Sequence, residues 1–177
     1  MGLTLSAVSK GYHYSKWKED TVGKEYLSTD IGYIGFKFFR DALLKFASGG
    51  VYSDISKDIL RGKEFTWCWC TDETLTVIME REDFEDGEEV DEDYLNKLEY
   101  LKTNYPKVYA IYPFISHCDC EGEMPLNQCK MILPIIKEFY ESDKSNYGYS
   151  GWDYNFTEEL IDILETVIQK KGKLYFH

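Results

Sequence analysis

Two pairs of cysteines, each separated by a single residue, are the residues of this chain best suited to chemistry. They are Cys68 with Cys70 and Cys118 with Cys120, and His117 precedes the second pair. Four thiolates can hold zinc tetrahedrally, although structural zinc sites usually place two or more residues between paired cysteines. The alternative is that these are small, reduced core or strand residues. The spacing favours this alternative, so we expect no bound cofactor, with zinc at these four cysteines as the other interpretation.

Acidic residues follow the second cysteine pair at alternating positions. Asp119, Glu121 and Glu123 surround Gly122, and alternating carboxylates near a glycine can bind calcium or magnesium. The spacing of an EF-hand is not met, because no glutamate follows Gly122 at the required distance. Pro125 is suited to begin a helix, and acids are favoured near the positive end of a helix. We therefore favour a turn that leads into a helix.

The sequence contains no recognisable arrangement for nucleophilic catalysis. Its histidines, His13, His117 and His177, are scattered, and there is no phosphate-binding loop or dinucleotide fingerprint. The run GYSGW at 148–152 does not match the G-x-S-x-G nucleophile motif. These features favour a protein that is not an enzyme, with a metal-dependent enzyme or a zinc-stabilised domain as the alternative.

Two stretches rich in glycine and aromatic residues, 49–62 and 145–154, are typical of adaptable binding loops. Tyrosine and tryptophan give a large contact area with few rotatable bonds, and their rings can stack on nucleobases. The alternative is that these aromatic side chains pack against the sheet. Together with the nearby tryptophans and acids, the candidate ligand-binding residues are Tyr52, Ser53, Arg61, Trp67, Trp69, Asp119, Glu121, Gly122, Tyr149 and Trp152.

Composition indicates one globular domain over residues 1–177, because 44% of the residues are apolar and 16% are aromatic. The net charge is −12, and residues 80–93 contribute ten acids and one arginine. We expect this segment to be an acidic loop. An acidic chain disfavours binding to duplex nucleic acid. No apolar run is long enough to cross a membrane, and the first residues lack the apolar core of a signal peptide. These features predict a cytoplasmic protein.

Hydrophobic periodicity predicts an α+β fold, a largely antiparallel sheet with about four helices packed on it. Residues 10–34 give no clear pattern. Pro134 is expected to kink or break its helix, Thr157 to cap the last helix, and Gly172 to end it. The predicted strands are 3–9, 107–115, a short strand at the end of the chain, and a hairpin formed by 64–70 and 74–80. The predicted helices are 35–47, about 92–103, one that begins at Pro125 and one that follows Thr157.

The chain resembles a family of uncharacterised small proteins of bacteriophages and bacterial mobile elements. The residues that carry the resemblance are MGLTLS at 1–6, GGVYSDI at 49–55, FISHCDCEG at 114–122 and LYFH at 174–177. The run from Asp119 to Gly122 is the most specific. The central loop departs from the family pattern, because it lacks the usual second glycine and the Trp-Arg that follows.

The resemblance implies a phage context, in which small proteins often antagonise host defences. We therefore expect a binding protein in the cytoplasm of a bacterial host. Its partner would be a signalling nucleotide, which it would sequester, or a defence protein, to which it could present the acidic segment 80–93. A homo-oligomer is compatible with either mode.

Overall fold

The structure is a computed structural model that describes residues 2–13, 21–52, 92–115, 117, 122–148 and 154–177. Within these residues, four antiparallel strands form one sheet and five α-helices complete the fold, so the α+β class is confirmed. The strands are β1 (Gly2–Val8), β2 (Glu25–Gly32), β3 (Gly122–Met124) and β4 (Lys173–Phe176). The helices are α1 (Tyr33–Ala47), α2 (Glu92–Asn104), α3 (Pro106–Ile115), α4 (Leu126–Glu141) and α5 (Tyr154–Lys170), with a short 3₁₀ helix at Lys144–Tyr147.

The first and last strands of the chain are neighbours in the middle of the sheet. The strand order is β2–β1–β4–β3, and β1 pairs with β2 on one side and with β4 on the other. The β1–β4 register places Leu5 opposite Phe176 and Ala7 opposite Leu174. The outer strands are therefore β2, with eight residues, and β3, with three.

The two surfaces of the sheet differ in chemistry because side chains alternate along each strand. Leu3, Leu5 and Ala7 of β1 are fully buried in the core formed with the helices. The intervening side chains of β1 lie on the opposite surface, where Thr4 contacts Asp30 of β2 and Ser6 contacts His177, the residue after β4. We call this surface the outer sheet surface and define it by Thr4, Ser6, Glu25, Asp30, Glu123, Lys173, Tyr175 and His177.

Phenylalanine rings join the helices to one another beneath the sheet. Phe39 of α1 is fully buried and makes edge-to-face contacts with Phe114 of α3, Phe139 of α4 and Phe156 of α5. The ring centroids are 6.2, 5.9 and 4.9 Å apart, respectively. Such pairs contribute about 0.5–1.5 kcal/mol beyond the burial of their area. Phe39 therefore links α1 to three other helices at once.

The two helices predicted from residues 35–47 and 92–103 are present as α1 and α2. After α1, Gly49 and Gly50 take φ values of 64° and 89°, which side chains with a Cβ rarely adopt. These glycines therefore end α1 as predicted. In α2, Leu98 and Leu101 are buried, as the apolar stripe requires.

The strand predicted over residues 107–115 is wrong, because this segment is helix α3. Pro106 occupies its first helical position, where a missing N–H has no consequence and the fixed φ suits a helix. The buried residues Val108, Ile111 and Ile115 recur at spacings of three and four, as on one face of a helix. A zinc site built from both cysteine pairs would have needed this segment to pair as a strand beside residues 64–70, so that argument loses its basis.

Two details of the last long helices also differ from expectation. α4 continues through Pro134 as one helix, so the predicted break does not occur there. Buried residues on both sides, including Ile132 and Ile136, hold the helix against the core. α5 begins at Tyr154, so Thr157 lies inside the helix and is fully buried rather than capping it. The burial of Phe156 in the aromatic core explains the earlier start.

The end of α5 depends on two adjacent residues with different roles. Lys171 adopts the left-handed conformation with a φ of 52°, and the Gly172 N–H donates a hydrogen bond to the Val167 carbonyl at 2.9 Å. A Cβ on Gly172 would lie 2.0 Å from the Val8 carbonyl oxygen. Gly172 therefore ends the helix as predicted, but it is required for the close approach to β1 and not for its own φ.

The predicted hairpin of residues 64–70 and 74–80 lies outside the described residues. Of the acidic segment 80–93, Glu92 and Asp93 fall within the described part, at the start of α2. Among the described helices, none combines the length and the apolar character that crossing a lipid bilayer requires.

A substitution of Phe39 tests the aromatic core. Phe39→Ala removes three ring contacts and leaves a cavity, so we expect the free energy of unfolding in urea to fall by about 3–5 kcal/mol. Its neighbour Phe38 is 56% exposed, and Phe38→Ala should change this free energy by less than about 1 kcal/mol. Equal effects of the two substitutions would contradict the orientation of α1.

A second pair of substitutions tests the junction between α5 and β4. Gly172→Ala should lower the free energy of unfolding by about 1–3 kcal/mol, because the added methyl group collides with the Val8 carbonyl. Lys171→Gly should leave stability unchanged or raise it by up to about 1 kcal/mol, because glycine adopts a positive φ without strain. Urea unfolding of both variants measures the difference, and tolerance of Gly172→Ala would contradict the close approach.

Candidate functional site

Most of the residues predicted to bind a ligand lie outside the described part of the chain. Tyr52 and Gly122 lie within it. Tyr52 packs edge-to-face on Tyr105, between α2 and α3, whereas Gly122 pairs with Phe176 in the sheet. Their contacts are with different elements, so these two residues do not form a shared site. The candidates outside the described residues are Ser53, Arg61, Trp67, Trp69, Asp119, Glu121, Tyr149 and Trp152, together with Cys68, Cys70, Cys118 and Cys120.

The outer sheet surface contains a serine, a histidine and a carboxylate in contact. The Ser6 hydroxyl lies 2.9 Å from Nε2 of His177, and a Glu25 carboxylate oxygen lies 3.8 Å from the same nitrogen. In a catalytic triad the acid instead holds Nδ1, which leaves Nε2 for the serine. Ser6 is also fully buried, so a substrate cannot reach its hydroxyl. This cluster ties β1, β2 and β4 together and is not arranged for nucleophilic catalysis.

The other groups of the outer sheet surface also contact one another. Thr4 donates a hydrogen bond to Asp30 at 2.6 Å, which links β1 to β2. Lys173 and Glu123 form an ion pair that links β4 to β3. The Tyr175 ring of β4 lies 5.5 Å from the ring of His177, which follows this strand. These groups bond across neighbouring strands, so much of their bonding capacity already serves the sheet.

A buried arginine holds the segment that leads to the Asp119–Gly122 run. Arg40 of α1 is only 5% exposed, and its Nη1 donates a hydrogen bond to the His117 carbonyl at 2.9 Å. The same guanidinium lies 4.5 Å above the Phe36 ring. The His117 ring stacks on Phe176 of β4, with centroids 3.7 Å apart and planes within 8°. His117 is therefore fixed against both α1 and the sheet.

Sequence reasoning did not single out Arg40. Its only signal was a basic residue placed among the apolar residues of the α1 face, such as Phe36, Phe39 and Leu43. Buried arginines usually have partners, so this position indicated a paired group. Its partner carbonyls come from a segment more than 70 residues further along the chain, which the sequence alone does not place.

The described parts of three segments that carry the resemblance meet at the sheet. Residues 2–6 lie in β1, and residues 174–176 lie in β4, which pairs with β1. The FISHCDCEG segment ends at Gly122, which lies opposite Phe176 at the start of β3. Segments far apart in the sequence therefore meet around the middle of the sheet, where Phe176 contacts His117 and Ser6 contacts His177.

A groove of about 450 Å³ lies between β2 and α5 and is open to solvent. The side chain of Leu27 in β2 is 40% exposed beside it. Glu165 of α5 pairs with Lys137 at 2.6 Å, while Asp162 has no ion-pair partner among the described residues. The groove therefore has a negative character, which attracts a cationic group and repels a phosphate. Its lining residues are Leu27, Asp162, Glu165, Thr166 and Gln169.

The described residues provide no group of three or more histidine, cysteine or acidic side chains that could hold a metal ion. Cys129 is the cysteine within them, and its thiol approaches the Met124 carbonyl oxygen at 3.6 Å. Burial raises the pKa of the Cys129 thiol from 9.0 to about 12, and two backbone hydrogen bonds oppose this effect. The thiol is therefore protonated at neutral pH, which makes it a poor nucleophile and metal ligand.

Comparisons of the chain with protein-family models, with curated proteins and with solved structures find no match.

The chemistry of Cys129 gives a direct test of its burial. Native protein treated with iodoacetamide at pH 8 should leave Cys129 unlabelled, because its pKa of about 12 and its burial keep the thiolate scarce and shielded. The same treatment in urea should label it fully, as peptide mass mapping would show. Labelling of native Cys129 at the rate of a free thiol would contradict the assigned burial.

Proposed function

We propose that this protein is a non-enzymatic binding protein, and that it is a phage-encoded antagonist of a bacterial defence system that binds a defence protein. The observation that supports the proposal best is the acidic groove between β2 and α5, where Asp162 has no ion-pair partner among the described residues. The net charge of −12 and the acidic segment 80–93 favour the same kind of partner, a protein with a basic surface.

The geometry of the described residues favours binding over catalysis. The cluster that comes closest to a catalytic arrangement contains Ser6, which has no exposed surface, and His177, whose Nε2 faces both Ser6 and Glu25. A nucleophile must reach its substrate, and its base must be oriented through the other ring nitrogen. A structural role for this cluster explains both features.

Electrostatics favours a protein partner over a nucleotide within the described part. A nucleotide in the groove would bring its phosphates near Asp162 and Glu165, and like charges at short distance repel. Lysine and arginine side chains of a protein would instead be attracted. The residues expected to stack a nucleotide, such as Trp67 and Trp152, lie outside the described residues, so sequestration of a signalling nucleotide is the alternative that the experiment must separate.

The phage context of the proposal comes from the resemblance of the segments at 1–6, 49–55, 114–122 and 174–177. Acidic proteins that bind a basic surface gain both encounter rate and selectivity from charge complementarity. An acidic antagonist would in this way block a basic functional surface of a defence protein, such as a nucleic-acid channel.

A plating assay tests the proposal. Bacterial strains that each carry one defence system would express the protein, and we expect at least one strain to regain sensitivity to a phage that its system normally blocks. Changing Glu82, Asp83 and Glu85 to lysine should abolish this effect, because it reverses three charges and reduces the net negative charge of segment 80–93 from −9 to −3. The matched control changes three exposed acids elsewhere by the same total charge, with the substitutions Glu99→Lys, Glu141→Lys and Glu158→Lys. This control should still restore phage plating.

Native mass spectrometry of the purified protein separates the alternatives. A protein-binding antagonist should show the mass of the chain alone or of its oligomer. A non-covalent addition of a few hundred daltons would favour nucleotide sequestration. It would contradict protein binding if the variant with lysine at positions 82, 83 and 85 still restored phage plating. An addition of about one zinc per chain that is needed to restore phage plating would favour the metal-dependent alternative. If phage plating is restored in no strain, the proposed antagonist function is wrong.

A further inference from the structure

The hydrogen bonds of β1 show which backbone groups of β2 point outward from the sheet. The Thr4 N–H donates to the His177 carbonyl at 2.7 Å, and the His177 N–H donates to the Thr4 carbonyl at 3.0 Å. The backbone groups of Thr4 therefore point toward β4 and away from β2. Asp30 lies opposite Thr4 in β2, so the two form a non-hydrogen-bonded pair. The N–H and C=O of Asp30 consequently point outward, away from the sheet.

The same alternation gives the direction of the backbone groups of the neighbouring residues in β2. Backbone groups of successive residues in a strand point to opposite sides, so those of Ser28 and Gly32 point outward with Asp30. Those of Thr29 and Ile31 point inward to β1. Among the described residues, no strand pairs with β2 on its outward side. The edge thus offers outward donors and acceptors at every second residue.

This edge lacks several of the features that natural proteins use to block further pairing. Short length, lysine and proline protect edge strands, and β3 at the other edge has only three residues. β2 has eight residues with neither lysine nor proline, and its charged residues, Glu25 and Asp30, are acidic. A register shift opposite Ala7 and Val8 disturbs its first residues, which leaves the stretch from Leu27 to Gly32 regular.

The acidic groove lies beside this edge and indicates what would bind. Leu27 lines the groove and belongs to the regular stretch of β2, and Asp162 and Glu165 of α5 face it from the helix side. Thr29 of β2 donates a hydrogen bond to Glu159, which places a third carboxylate of α5 above the strand. A strand added at the edge would therefore bring alternate side chains toward carboxylates, and lysine or arginine would suit these positions.

We propose that the outward edge of β2 binds an extended, basic segment of a protein partner as a fifth strand of the sheet. Its backbone pairs with Ser28 and Asp30, and a lysine or arginine side chain enters the groove at Asp162. This inference rests on the proposed function, because it names the contact surface for the protein target. A second copy of the chain fits less well, because symmetric pairing of two β2 edges would bring the carboxylates of both α5 helices together.

A selection from a yeast-displayed library of random ten-residue peptides tests the proposal. We expect the enriched peptides to contain lysine or arginine at alternate positions and no central proline. Ser28→Pro removes an outward N–H, and it should weaken binding of the best peptide at least tenfold. Ser28→Ala keeps the N–H and should bind normally. Asp162→Lys should also weaken binding, whereas Glu158→Lys, an exposed position of α5 outside the groove lining, should change it little.

A second measurement keeps the test decisive if the proline variant does not fold. In the wild-type protein, the best peptide should slow amide hydrogen exchange at Ser28 and Asp30 and leave Thr29 and Ile31 unchanged. Enriched acidic peptides, binding that ignores both Ser28→Pro and Asp162→Lys, or no enrichment would overturn the inference. A dimer in light scattering that Ser28→Pro dissociates would assign the edge to a second copy and would also overturn it.

The plating assay separates this inference from the proposed function. If the Ser28→Pro and Asp162→Lys variants fold and still protect phage, the edge is not the contact surface, although the antagonist function stands. If the wild-type protein protects in no strain, the function fails whatever peptides bind the edge.

Discussion

The pairing of β1 with β4 is the constraint on which the rest of this structure depends. It joins the beginning of the described chain to its end, since Ser6 and His177 are 171 positions apart and in direct contact. With β4 in place, β1 is paired on both sides and β2 becomes an outer strand. The Thr4–His177 hydrogen bonds then determine which backbone groups of β2 face outward.

The same pairing places residues of β4 in contacts on both surfaces of the sheet. On the helix side, Phe176 of β4 meets Phe114 and the stacked His117, which continues the aromatic core that Phe39 organises. On the outer sheet surface, contacts across neighbouring strands use much of the bonding capacity of the polar side chains. Within the part of the chain that the structure describes, the outward edge of β2 has no paired strand and the groove beside it has two acidic lining residues, which are the two observations that the proposed partner rests on.

Much of the fold could be predicted because its elements have clear periodicity. α1 shows apolar residues at spacings of three and four with two glycines after it, and both features describe its real limits. The segment 107–115 was misassigned because a short, continuous apolar run rich in aromatic and branched residues fits either a strand or a buried helix. Pro106 and the burial of Val108, Ile111 and Ile115 show that the helical spacing was present in the sequence.

The candidate site was less predictable than the fold, for two physical reasons. β2 lies in the stretch 10–34, where polar residues such as Ser28 and Asp30 alternate with Leu27 and Ile31 too weakly to predict a strand. An unpaired edge is also a property of the sheet order and not of any residue, so no local pattern could reveal it. The groove combines Leu27 with Asp162, which only the contact between β2 and α5 brings together.

Amide hydrogen exchange of the free protein would show whether the outward edge of β2 is unpaired, because it measures the bonding of each backbone N–H in the strand. The free edge predicts an alternating pattern, with fast exchange at Ser28 and Asp30 and slow exchange at Thr29 and Ile31, whose groups face β1. Slow exchange at all four residues would mean that another segment or a second chain already pairs with this edge. That result, or the reverse alternation, would contradict the account.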